Sequence, residues 1–147
     1  MGTQQLLLIV LGVIIVGVAI AVGITIFNNQ AINANANALA SETNNYAAQV
    51  IQYWKTPVAQ GGAGRVIGTM TGANIGAFMG KGAATFTTDN GSYTIGDGAS
   101  GTVTITAVGN EGQDGSRPKF VAVITLDSGN IAGTLTHDGT LSGGTGA

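Results

Sequence analysis

The chain has one histidine, His137, followed by Asp138 and, two residues on, by Thr140. A nucleophile–histidine–carboxylate relay needs its hydroxyl at a recognisable place, and none stands at such a spacing here, so the grouping does not read as a triad. Asn110, Glu111 and Asp114 crowd the segment GNEGQDGSR and offer the oxygens that hold calcium. Their spacing fits no calcium loop, Arg117 lies close by as a counter-charge, and a solvated turn is expected. The run from Gly62 to Gly68, GAGRVIG, superficially has the look of a dinucleotide loop. It follows a helix, misses the glycine spacing and lacks a βαβ unit around it. Asn90-Gly91-Ser92 satisfies the N-glycosylation pattern, which makes Asn90 a possible glycosylation site, but Asn-Gly is also what a hairpin turn demands. With no cysteine in the chain, thiol catalysis, thiolate metal sites and disulfides are excluded. No catalytic residue, metal or cofactor is expected, and the chain does not read as an enzyme.

If these side chains are not there for chemistry, the elements carrying them must account for the sequence. Only 8% of the 147 residues are charged and 44% are apolar, with a net charge of −2. That balance leaves no basic surface for a phosphate backbone, so nucleic acid is not expected as a primary partner. The first charged side chain is Glu42, and all five bases (Lys55, Arg65, Lys81, Arg117, Lys119) come after it. Glycine divides the chain in the same sense: four of the 25 lie in residues 1–60 and 21 in residues 61–147.

Leu6 to Phe27, LLLIVLGVIIVGVAIAVGITIF, is a 22-residue uncharged run. As a helix it would be about 33 Å long, the thickness of a bilayer's hydrocarbon layer. It is apolar on every face, so it belongs in lipid or among other apolar helices. From Asn28 the sequence turns polar yet stays alanine-rich and free of glycine and proline until Pro57. Ile32, Leu39, Tyr46 and Tyr53 recur at heptad spacing, with Ala36, Thr43 and Val50 between them. One helix from about Thr3 to Trp54 is predicted, apolar in its first half and amphipathic in its second. Leu39, Tyr46, Val50, Tyr53 and Trp54 are expected to pack on a sheet.

That sheet is predicted from Ala84–Thr88, Ser92–Ile95, Thr102–Val108, Phe120–Leu126 and Asn130–Thr136, each rich in Thr, Val, Ile, Phe or Tyr. Asp89-Asn90-Gly91 and Asp127-Ser128-Gly129 are turn sequences suited to positive φ, so an antiparallel meander is expected. The amphipathic helix is the cover available for one face of it. Between helix and sheet, Gly64, Gly68, Gly72, Gly76 and Gly80 recur at every fourth residue. Five glycines, each costing about 1 kcal/mol in a helix, predict an irregular loop held by Val66, Ile67, Ile75, Phe78 and Met79. The fold class is α+β. Its divisions are an apolar helix over 1–27, its amphipathic continuation over 28–57, a Gly-rich region over 58–83 and an antiparallel β domain over 84–147.

A short polar cap, an uncharged apolar helix from Leu6, an amphipathic continuation and a small β domain together resemble the mature form of type IV pilins and pseudopilins. The likeness is carried by residues 1–54. Met1 stands where these families have an N-methylated Phe or Met after leader removal. A methionine before Gly2 is normally trimmed, so its presence fits a mature terminus. Two positions depart from the pattern. Gln5 stands where bacterial members usually have a Glu thought to pair with a neighbour's terminal amine, and an amide accepts a hydrogen bond but loses the charge pairing. Val22 stands near the family's usual proline.

The resemblance implies a structural subunit that waits in the cytoplasmic membrane and is then built into an extracellular helical filament, a surface adhesion or motility appendage. It implies a prepilin peptidase acting at Met1, an assembly machinery, and a homopolymer. Assembly would run through Gln5, Leu6, Leu7, Leu8, Leu11, Ile14, Ile15, Val18, Val22 and Phe27. Two alternatives stay open: a major pseudopilin working as a piston in a secretion system, and a β-rich surface binding domain that uses the helix as an anchor.

Overall fold

A computed structural model of the chain describes residues 2–112 and 115–138. Helix α1 runs from Gly2 to Lys55 without a break. No proline interrupts it, and Gly12, Gly17 and Gly23 do not stop it. Its end is specified by Pro57 and by the glycines that follow. Pro57 cannot continue the helix, and Gly61 turns the chain back with φ 82°. The N–H groups of Ala63, Arg65 and Gly64 then return to the carbonyls of Tyr53 (2.9 Å), Trp54 (3.0 Å) and Thr56 (2.8 Å). The first two of these bonds satisfy carbonyls in the last turn of α1 that would otherwise be orphaned. The segment read as a superficial dinucleotide loop is therefore the terminator of α1.

The chain divides into two compact units, Met1–Ala31 and Ile32–Ala147. In the second, five strands form an antiparallel meander in sequence order: β1 Thr85–Thr87, β2 Gly91–Ile95, β3 Thr102–Gly109, β4 Arg117–Thr125 and β5 Asn130–Asp138. The α+β class is as read from the sequence, and each strand lies within three residues of its predicted bounds. Burial alternates along the central strands, so Tyr93, Ile95, Val103, Ile105, Ala107, Phe120, Ala122 and Ile124 share one buried face. Leu39, Ala47, Val50, Tyr53 and Trp54 of α1 belong to the same core.

Two expectations need correction. The region 58–83 is more ordered than an irregular loop, because it contains helix α2, Gly72–Phe78, capped by Thr71, whose hydroxyl accepts the Asn74 N–H at 3.2 Å. The glycines that argued against a helix are what let this one fit. A Cβ on Gly76 would collide with the Ala83 carbonyl, and one on Gly72 would lie 2.9 Å from the Ala84 Cβ. Ile75 is fully buried, with Phe78 and Met79 packed beside it, whereas Val66 and Ile67 stay exposed and anchor nothing. The second correction concerns the turns. Gly129 has the positive φ expected, 68°, but Asp89-Asn90-Gly91 has none. Gly91 is needed there for space: a Cβ would meet the Val108 carbonyl and lie 2.9 Å from the Leu39 side chain.

Candidate assembly surface and helix–sheet seam

In the first unit, sixteen large apolar side chains between Leu6 and Phe27 are exposed. They include every apolar residue assigned to assembly: Leu6, Leu7, Leu8, Leu11, Ile14, Ile15, Val18, Val22 and Phe27, with exposures between 51% and 71%. Gln5 is likewise exposed on α1. Met1, the expected processing position, lies outside the described residues. Leaving these side chains in water would cost on the order of 25–50 kcal/mol at about 1.5–3 kcal/mol each. That exceeds the 5–15 kcal/mol or so by which a domain is stable, so the segment requires a cover that the described residues do not supply. The helix is long and apolar enough to cross a membrane, its best window having a mean hydropathy of 3.2. Thr25 donates its hydroxyl to the Ala21 carbonyl at 3.1 Å, the internal pairing that lipid demands of a polar group. Among the described residues nothing approaches within 4 Å of a Cβ built on Gly12, Gly17 or Gly23.

In the second unit Leu39, Val50, Tyr53 and Trp54 belong to the core cluster and Tyr46 packs against it. Leu39 and Val50 are fully buried, and Tyr53 and Trp54 are 5% exposed. Tyr53 also donates to the Thr69 carbonyl at 3.3 Å and rests its ring 5.1 Å from Phe78, so it reaches α2 and the preceding loop. Tyr46 is half-buried, edge-on to Phe86 at 5.2 Å and to Tyr93 at 5.1 Å. The Lys81 ammonium stands 5.7 Å from the Tyr46 ring centre and 5.2 Å from that of Phe86.

The sequence reading missed the polar half of this seam. Glu42 turns toward the sheet and accepts from Thr88 Oγ1 at 3.2 Å, from Asn90 Nδ2 at 2.6 Å and from the Tyr93 hydroxyl. Burial pushes the Glu42 carboxyl up, but the bonds from Tyr93, Asn90 and Thr88, with the charge of Lys81, outweigh it and hold the group below the ordinary value. For Tyr93 both burial and the bond to Glu42 act upward, raising its pKa well beyond the phenol range. A second tie lies farther up α1, where Asn35 Nδ2 donates to the Asn90 carbonyl at 2.8 Å and Asn35 Oδ1 accepts the Glu111 N–H at 3.4 Å. The signal for Glu42 was present: it is the one charged side chain between Gly2 and Trp54.

The remaining candidates fall into place around the seam. Asn90 uses its amide nitrogen, the atom a glycan would occupy, to hold Glu42. Asn110 donates to the Asp89 carbonyl at 2.9 Å, Glu111 is exposed, and Asp114 lies outside the described residues. His137 lies on β5, its backbone paired with Pro118, while Thr140 is outside the described residues. Among the described residues no three His, Asp or Glu side chains converge on a point. Comparison with protein-family models, with curated proteins and with solved structures returns no match.

Proposed function

We infer that the chain is a structural subunit of a type IV pilus-like filament, inserted in the cytoplasmic membrane through Leu6–Phe27 and then polymerised outside it through the same surface. The observation that carries this reading is the exposed apolar run of sixteen large side chains on a helix whose later turns are committed to a folded domain. A surface apolar on all sides suits lipid first and a ring of like helices afterwards, and heterologous contacts between identical copies that do not close generate a helical polymer. Relative to lipid the net gain of that exchange is small, which suits a process run by a dedicated machine. The glycines support it too. Gly12, Gly17 and Gly23 each cost about 1 kcal/mol relative to alanine, with no contact among the described residues to require them, and they allow another helix to approach closely. On this reading the protein is not an enzyme, its partners are other copies of itself, a prepilin peptidase and the assembly machinery, and its final location is the cell surface.

The test is to shear cells, collect the fibre fraction and measure the mass of the amino-terminal peptide. A methylated Met1 in protein recovered from fibres supports a processed pilin. Protein that remains wholly in the membrane fraction as detergent-soluble monomer, with no fibres, supports a simple anchor for the β domain. Short fibres confined to the periplasm, together with a secretion defect on gene deletion, support the pseudopilin.

A further inference from the structure

The two edges of the sheet are built differently. At one edge β1 is three residues long, with the charge of Lys81 beside it. At the other, β5 spans nine residues in unbroken register with β4, from Arg117↔Asp138 to Thr125↔Asn130. Its stretch NIAGTLT, residues 130–136, has no charge, no proline and no bulge, the devices by which proteins guard an open edge. Among the described residues nothing pairs with its outer side. The register also aligns the two edges. Phe86, Tyr93, Ala107, Phe120 and Leu135 form one cross-strand row on the core face. The row's interior members are buried. Its ends are not: Leu135 is 47% exposed and Phe86 half-buried.

Resting on the filament reading, we propose that β5 of one subunit receives β1 of the next copy, so that the sheets of neighbouring subunits join edge to edge. The occupant is a second copy because the chain carries both halves of the contact, an unguarded edge ending in Leu135 and an opposite edge ending in Phe86 on the same face. Joining them continues the row and places Leu135 against the neighbour's Phe86. With five strands in an antiparallel meander, β1 and β5 run in the same direction, so the join by simple repetition is a parallel pair. It is heterologous and non-closing, as a filament requires. Only three residues of β1 take part, so the contact forms between copies already held together by their helices and does not hold two detergent-solubilised chains.

Absence of native cysteine makes the test direct. The double variants Thr85→Cys/Thr134→Cys and Thr87→Cys/Thr136→Cys each place one thiol at either end of one outer-face row, at exposed positions. Within one chain the two cysteines are about 19 Å apart, four strand spacings, beyond the roughly 7 Å that a disulfide spans. Oxidised fibres of at least one double variant should run as a ladder of dimers, trimers and higher species on a non-reducing gel, while the single variants stay monomeric. Adding Leu135→Lys, an inward charge on the edge strand, should remove the ladder and leave fibres intact. Fibres without a ladder from either pair overturn the edge join and leave the filament reading standing, as would another protein occupying β5. Dimers from Thr134→Cys or Thr136→Cys alone mean a β5–β5 contact, which also overturns it. If the cysteine-free protein makes no fibres, the filament reading fails and the join falls with it.

Discussion

Helix α1 handles apolar surface in two opposite ways. Between Leu6 and Phe27 its large side chains are exposed around the whole circumference, whereas between Leu39 and Trp54 they are buried along one stripe against the sheet. The helical backbone is the same in both. What differs is the arrangement of side chains around it. A stripe of apolar residues can be satisfied by one sheet face from the same chain, as Leu39, Val50 and Trp54 are. A full cylinder of them can be satisfied only by a medium or by several neighbours. The distinction therefore separates what the chain can complete alone from what it must find outside itself, and each half can be attacked without the other.

The largest effect is expected in the first half. Leu11→Asp puts a carboxylate where lipid or a helix core would surround it, at about 2.5–3.5 kcal/mol for insertion alone. Fibres should disappear, while circular dichroism of the detergent-solubilised protein keeps its strand signal. Normal fibre yield would break the comparison by showing that this surface stays wet. Leu39→Ala is the counterpart. It removes a fully buried side chain and should destabilise the sheet unit by about 2–5 kcal/mol in denaturant titration, without changing how the protein partitions into membranes.

A smaller effect sharpens the account of the seam. Glu42→Gln keeps the shape but loses the charge that three donors address, at about 1–2 kcal/mol. Because the folded-state pKa of Glu42 lies below the ordinary 4.5, its contribution is complete above that value and is lost as pH falls through the folded value. Thermal melts from pH 6 down to pH 3 should show the wild type losing more stability than the variant, and parallel curves would remove Glu42 from the seam's energetics. The smallest effect belongs to Gly17→Ala. In isolated protein it should raise helix stability by up to about 1 kcal/mol, since no atom of the described residues opposes the added methyl. Fibres of the same variant should be less stable to heat if neighbouring helices approach at this point.

Much of this was legible in the sequence because it is local. Periodicity of two marked Val103, Ile105 and Ala107 as one buried face, and heptad spacing marked Leu39, Tyr46 and Tyr53 before any partner was known. The unbroken uncharged run placed the helix through Gly12, Gly17 and Gly23. Failures occurred where the reason for a residue is distant. Helix propensity counts Gly72 and Gly76 as breakers, but their absent side chains admit the backbones near Ile95 and Ala83. Asn90-Gly91 follows a hairpin rule, yet Gly91 is there to make room for Leu39, 52 positions earlier. Glu42 meets partners 46 to 51 residues away, and no local pattern connects a helical acid with a turn asparagine and a strand tyrosine.

From Gly2 to Trp54 the side chains of α1 include a single charge, and the fold turns that carboxylate inward to the sheet. Apart from Lys55 at its last position, the rest of this helix therefore offers no ionic atmosphere to be displaced by a partner and no fixed charge to be shielded by dissolved ions. Contacts made along it should keep their strength from dilute buffer to brine, with added electrolyte acting only through its general reinforcement of apolar association.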